Sequence, residues 1–149
     1  MTPIRSPQSA IRNYVDLARP FTLVAPALGF VSGALTALGA SPREPWSPAL
    51  LAAPFIGAAM AALLNAGNNA LNQICDLDID RVNKPKRPLP SGRLTIAQVW
   101  TFTNITYALA LVLAWLVVPG APTLSWSKSH ECFWLVAVAV VCTYLYSAV

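Results

Sequence analysis

An all-α protein, a polytopic bundle of membrane-spanning helices, is the fold class this sequence predicts, and three observations predict it. Hydrophobic residues fill 56% of the 149 positions and charged residues only 11%, where a soluble domain carries about 25% charged residues. A chain this short cannot build a core that buries so much apolar side chain, so the surplus faces lipid. The apolar residues gather into four long runs separated by short polar gaps. The basic residues are sorted between those gaps. With a cytoplasmic N-terminus and four crossings, Arg5, Arg12, Arg19, Arg81, Lys84, Lys86, Arg87 and Arg93 share one side, and only Arg43 and Lys128 fall on the other. That asymmetry is the positive-inside rule.

The elements follow in order. Residues 1–20 form a polar, basic cytoplasmic segment. Residues 21–40 contain no charge; twenty residues at about 1.5 Å each span roughly 30 Å, the thickness of the hydrocarbon layer. No small-residue cleavage site follows a short apolar run, so this is a span that stays and not a cleaved leader. Residues 41–48 are a Pro-rich turn. The second span, 49–75, is rich in Ala, with Pro54 and Gly57 inside it; small residues let membrane helices approach closely. A loop of about residues 76–95 leads to the third span, 96–118. A polar gap with Pro119, Gly120 and Pro122 precedes the fourth, 132–149. Residues 21–149 thus read as one membrane domain, multi-pass, with the inner (plasma) membrane as its expected location.

The net charge of +4 does not point to nucleic acid, because the cations sit beside apolar runs where membrane proteins keep them. Cys75, Cys132 and Cys142 are odd in number and show no CxxC or Cys/His spacing, which argues against a disulfide framework or a zinc site. They are expected to be small buried hydrophobes. His130, the one histidine, lies in a polar gap and is not expected to bind metal. Phe102, Tyr107 and Trp115 can face a cation through their rings or pack the helix walls, and packing is the simpler reading.

The second span turns polar before it ends. Asn72, Asp76 and Asp80 stand at i, i+4 and i+8, which on a helix places them along one face, each step turning about 40°. Asn68 extends the stripe by one turn. Asp78 points away from it. Asn65 and Asn69 belong either to this polar stripe or to interhelical hydrogen bonding. Carboxylates on adjacent turns repel unless a cation sits between them. Oxygen donors without His or Cys suit a hard cation, and Mg²⁺ takes one or two carboxylates with phosphate oxygens and water. The following loop supplies Lys84, Lys86, Arg87 and Arg93, stiffened by Pro85, Pro88 and Pro90. A carboxylate–Mg²⁺ site beside fixed cations is a receptor for a diphosphate. Taken alone, the same cations read first as ordinary membrane anchors; their place directly after the Asn/Asp stripe is what points to phosphate. Substrate-contacting candidates are therefore Asn68, Lys84, Lys86 and Arg87. Asn72, Asp76 and Asp80 are the catalytic and metal-binding candidates.

The run Asn72-Gln73-Ile74-Cys75-Asp76-Leu77-Asp78-Ile79-Asp80 resembles the NDxxDxxxD motif of the UbiA-type intramembrane prenyltransferases. Its continuation through Lys84-Pro85-Lys86-Arg87-Pro88 to Ser91-Gly92 is similar to that family's, a match over residues 72–92. Arg19-Pro20 and Tyr144-Leu145-Tyr146-Ser147 fit the family more weakly. The resemblance implies a fold of about nine spans, four of them here. It implies Mg²⁺-dependent transfer of a prenyl group from a prenyl diphosphate to a lipophilic acceptor, aromatic or glycerolipid, within the membrane. By position, Asn72, Asp76 and Asp80 would hold Mg²⁺–diphosphate, with Lys84 and Arg87 on phosphate oxygens. Gln73, where many members have Asp, leans towards homogentisate-type or geranylgeranylglyceryl-phosphate-type members. The family's second motif, DxxxD, is missing: no Asp follows Asp80. The chain is thus expected to be the N-terminal part of such an enzyme and inactive alone. An inactive remnant or noncatalytic membrane subunit is the alternative. A cation transporter is disfavoured, because its carboxylates would lie near the bilayer midplane.

Overall fold

The computed structural model describes residues 7–40, 48–117 and 130–147. Among them every regular element is a helix: α1 (Pro7–Ala18), α2 (Pro20–Ala40), α3 (Pro48–Cys75), α4 (Leu77–Asn83), α5 (Ile96–Leu116) and α6 (Glu131–Ser147). Three stretches are long and apolar enough to cross a membrane: Pro20–Ala37, Leu51–Cys75 and Ile96–Leu116. They match the first three expected spans. The fourth expected span corresponds to α6, an apolar helix of 17 residues, at the lower limit for a crossing of about 17 residues. The Pro-rich turn at 41–47, most of the gap at 118–129 and residues 148–149 lie outside the described residues.

The N-terminal polar segment contains more than its composition announced. Pro7 opens α1, where its missing N–H costs nothing. Leu17 is fully buried and Asn13 nearly so, which docks α1 on the bundle. The chain passes from α1 to α2 through Arg19 in the left-handed region, φ 56°.

Helix α3 is the centre. It packs against α2 on one side and α5 on the other, and also meets α1 and α6. Its glycines permit this. A Cβ at Gly57 would overlap the ring of Phe30, and one at Gly67 would overlap the ring of Tyr107 and lie 2.9 Å from Thr106 Oγ1. Phe30 is only partly buried and can move; Tyr107 is 2% exposed and cannot. Gly67→Ala is therefore expected to destabilise the bundle by about 1–3 kcal/mol, the range for overpacking, and Gly57→Ala by less. Thermal unfolding in detergent checks the ranking.

Two apolar clusters hold the layers together. Met60, Tyr107, Ala110, Ala114, Val136 and Val140 join α3, α5 and α6. Leu17, Ala70, Leu89, Leu94 and Val99 join α1, α3 and α5 to the loop. Leu89 and Leu94 pin the Pro-rich loop to the bundle end. Thr95 caps α5 in a reciprocal box with Gln98, Gln98 N–H donating to Thr95 Oγ1 at 3.2 Å, so the loop leaves at a fixed angle.

The aromatic residues pack. Phe102 stacks on Tyr14 with centroids 5.8 Å apart, Tyr107 meets Tyr144 edge-on at 5.5 Å, and Trp115 stacks on His130 at 3.5 Å. All three cysteines are unpaired, and the expectation that they are buried is corrected. Cys75 and Cys142 are exposed and only Cys132 is partly covered, because Cys75 sits at the last residue of α3, where among the described residues only the end of α6 reaches it, and a membrane helix has no need to turn its apolar side chains inward.

Candidate functional site

The polar end of α3 is tied down at its margins and open at its centre. On one margin, Asn69 Nδ2 donates to the Ala18 carbonyl at 2.9 Å and to Thr22 Oγ1 at 2.8 Å. Asn65 Nδ2 donates to the Thr22 carbonyl at 2.9 Å. These two residues are interhelical links, which resolves the choice left open for them. On the other margin, the Tyr107 hydroxyl donates to Asn68 Oδ1 at 2.6 Å. Asn68 is thereby engaged with α5.

Between the margins, α3 ends at Cys75 and α4 begins at Leu77, with Asp76 at the joint (φ −89°, ψ 14°). The ladder nevertheless continues. Asp76 N–H donates to the Asn72 carbonyl at 2.9 Å and Asp80 N–H to the Asp76 carbonyl at 2.7 Å. Asn72 and Asp76 are both exposed and line one recess of about 580 Å³ with Cys75, Tyr146 and Ser147. The Cys75 thiol donates to the Ser147 carbonyl at 3.4 Å, closing α6 onto this recess.

Asp80 does not join them. It is 1% exposed and forms ion pairs with Arg87 and with Lys84, the latter at 3.5 Å. The expectation of a single face for all three residues holds for the pair and not for the trio. Two steps of about 40° carry Asp80 some 80° from Asn72, which is enough to turn it under the loop. Asp78 behaves as its position predicts: its side chain is 92% exposed and among the described residues pairs only with Arg81, at 2.8 Å.

The cationic residues surround a second recess, of about 810 Å³. Lys84, Lys86, Arg87, Arg19 and Arg93 line it, against one lining carboxylate, Asp16. Sequence alone gives the loop its shape. Prolines fix three φ angles. Gly92, at φ 71°, makes the left-handed turn that a Cβ would strain, with its N–H on the Leu89 carbonyl at 3.0 Å. Arg93 then closes the loop on α1, donating to Asp16 at 2.8 Å, to Asn13 Oδ1 at 3.1 Å and to the Lys86 carbonyl at 2.8 Å.

Gln73 also lines the second recess. It is 1% exposed, and neither its Oε1 nor its Nε2 has a hydrogen-bond partner. The sequence marked Gln73 only as a motif variant. Arg19 and Tyr107 were likewise not assigned to the site. The polar step from Asn72 to Gln73 could have flagged Gln73, since adjacent residues on a helix point about 100° apart and so address different neighbours.

Magnesium, which the motif implies, fits this donor set in one respect. Among the described residues no three His, Cys, Asp or Glu gather to hold a metal, so a closed protein cage is excluded there. Asn72 and Asp76 offer one amide oxygen and one carboxylate, all hard donors. That suits an ion completing its shell with phosphate oxygens and water.

A family model described as the UbiA prenyltransferase family matches residues 22–149. The digeranylgeranylglyceryl phosphate synthase of Methanopyrus kandleri is 32% identical over 137 residues, covering 92% of this chain and 43% of the relative. That of Ignicoccus hospitalis is 35% identical over 109 residues, 73% of this chain and 33% of the relative. That of Thermococcus gammatolerans is 32% identical over 107 residues, 72% of this chain and 36% of the relative. The chain thus spans less than half the length of these relatives. No solved structure matches significantly.

Proposed function

The chain belongs to the UbiA prenyltransferase family, and from that premise we propose that it serves Mg²⁺-dependent transfer of a prenyl group from a prenyl diphosphate to a lipophilic acceptor in the membrane. The observation that carries this reading is the pairing of Asn72 and Asp76 in one recess at the end of a membrane helix, beside a loop of fixed cations. The relatives are named for a digeranylgeranylglyceryl phosphate product, which supports a glyceryl phosphate lipid over an aromatic acceptor.

Each residue has a part in that chemistry. Asn72 and Asp76 would hold the metal, which when bound supplies positive charge to the departing diphosphate. Lys84, Lys86 and Arg87 add fixed charge where negative charge grows, and fixed charge needs no reorganisation. Asp80 anchors two of those cations. The apolar walls of α3 and α5 exclude water from a reactive prenyl group. The basic segments at residues 7–20 and 81–95 face the cytoplasm.

Equilibrium binding of a prenyl thiodiphosphate to the purified chain in lipid nanodiscs tests the reading. Saturable binding that requires Mg²⁺ and disappears in EDTA is expected. Equal binding in EDTA, or none with Mg²⁺, overturns it.

A further inference from the structure

Asn65 and Asn69 use their Nδ2 groups to link α3 to the α1–α2 corner. Asn68 is engaged the other way round. It accepts, through Oδ1, from the Tyr107 hydroxyl at 2.6 Å. Its Nδ2 has no hydrogen-bond partner among the described residues, and the half-buried side chain does not seal that atom in. An amide nitrogen carries two donors, so Asn68 holds an open N–H group on the branch turned away from Tyr107.

Chemistry fixes that orientation. Tyr107 is 2% exposed, and a buried hydroxyl needs an acceptor for its proton. With the amide turned over, donor would meet donor and the proton would have no acceptor. The ring is held in place as well. It lies against Gly67, where a Cβ would overlap it. Tyr144 backs it edge-on, with centroids 5.5 Å apart. Tyr144 is in turn braced by donating to Asn104 Oδ1 at 2.8 Å and by stacking on Trp100 at 6.2 Å. A buried, braced hydroxyl on α5 thus sets the direction of a half-buried amide on α3.

The position of that amide gives it a use. Asn68 stands one helical turn before Asn72, on the same face, with Cβ atoms four residues apart separated by about 5–6 Å. The span Leu51–Cys75 ends at the cationic loop, so Asn68 lies on the bilayer side of the Asn72/Asp76 recess and the loop on the water side. A prenyl diphosphate held in that recess points its apolar chain into the bilayer. The phosphate that carries the prenyl ester therefore faces Asn68, while the cations of the loop meet the outer phosphate.

We propose that Tyr107 is a positioning residue for prenyl transfer: by occupying Asn68 Oδ1 it aims the Asn68 amide N–H at the ester-side phosphate of a prenyl diphosphate held at Asn72 and Asp76. Asn68 is then a donor to phosphate and not a ligand to the metal. Such a donor counts most as the ester bond breaks, because negative charge grows on that phosphate. The inference rests on the prenyl-diphosphate reading and adds to it a residue of a second helix that itself touches no substrate.

The test is equilibrium binding of a prenyl thiodiphosphate to the chain in lipid nanodiscs at saturating Mg²⁺. Tyr107→Phe keeps the ring and removes the hydroxyl; it should weaken binding about tenfold, on the order of one hydrogen bond to a charged group. Asn68→Ala should weaken it by a similar factor. The double variant should lose no more than either single variant, since both act through one bond. If the hydroxyl serves packing only, the two losses multiply to about a hundredfold, and the proposal is refuted. Asn68→Asp supplies an independent sign. It keeps an acceptor for Tyr107 and puts a carboxylate oxygen where the N–H was, so binding should fall further than in Asn68→Ala. Tighter Mg²⁺-dependent binding by Asn68→Asp would make residue 68 a metal ligand and overturn the phosphate assignment. Wild-type binding with unchanged affinity in Tyr107→Phe sinks this inference and leaves the prenyl reading standing. A wild-type chain that binds no thiodiphosphate with Mg²⁺ sinks both.

Discussion

Asp80→Ala is expected to cost about 3 kcal/mol of stability, the lower end of the range for breaking a buried ion pair by removing one partner. Asp80 is 1% exposed, and the side chains it holds, Arg87 and Lys84, are 19% and 54% exposed. Removing the carboxylate strands Arg87 more than Lys84, because Lys84 can turn to water. The loss is local before it is global. The loop from Lys84 to Arg93 is pinned by Asp80 at one end and by the Arg93–Asp16 pair at the other. Leu89 lies between them and Leu94 just past the second, both in the α1–α3–α5 cluster. Freed at Asp80, the loop should open to protease. Trypsin does not cut before proline, so the informative bonds are Lys86–Arg87 and Arg93–Leu94. Faster cleavage at both, together with a lower melting temperature, is the expected result. Wild-type protease resistance would show that Asp80 does not anchor the loop and would return it to the metal-ligand role its motif position suggests. Asp80→Asn should fall between, since its amide keeps one acceptor for Arg87.

The sequence disclosed the helices because their signal is a property of single segments. Residues 21–40 carry no charge, and no tertiary fact is needed to read a span from that. The separation of Asp78 from Asp76 and Asp80 was legible for the same reason: it depends only on helical period. What stayed hidden depends on which neighbour stands beside each face. Asn65, Asn68 and Asn69 look alike in sequence, yet two bond to the α1–α2 corner and one to Tyr107. Asp80 was grouped with Asp76 because 40° per step seems small; its fate was decided by a loop that reaches back over it. The helix α1 was masked by its polar composition, although its inward face, Ala10, Tyr14 and Leu17 with Asn13 among them, repeats at helical spacing and packs, through Tyr14 and Leu17, in the α1–α3–α5 cluster. Gln73 is the extreme case. Its burial is a tertiary fact and its missing partners another, and one glutamine in a motif announces neither.

Asp76→Ala is expected to abolish Mg²⁺-dependent prenyl thiodiphosphate binding, by 100-fold or more on the order of the loss seen when one charge-stabilising group is removed from a reaction site. It should leave the unfolding free energy within about 0.5 kcal/mol of wild type, as for a surface substitution. Those two results together separate a ligand-binding carboxylate from a structural one. Asp76 is exposed, makes no side-chain hydrogen bond as the α4 cap, and contributes to the fold only through its backbone, whose N–H and carbonyl keep the ladder across the joint. Alanine preserves that ladder. Asp78→Ala is the matched control: equal charge removed two residues away, from a side chain that is 92% exposed and among the described residues pairs only with Arg81. If binding depended merely on the negative charge of this helix end, the two variants would behave alike. If it depends on a carboxylate one turn from Asn72 in the same recess, only Asp76→Ala loses it. Asn72→Ala should follow Asp76→Ala in direction with a smaller loss, because a neutral amide oxygen holds a hard cation more weakly than a carboxylate.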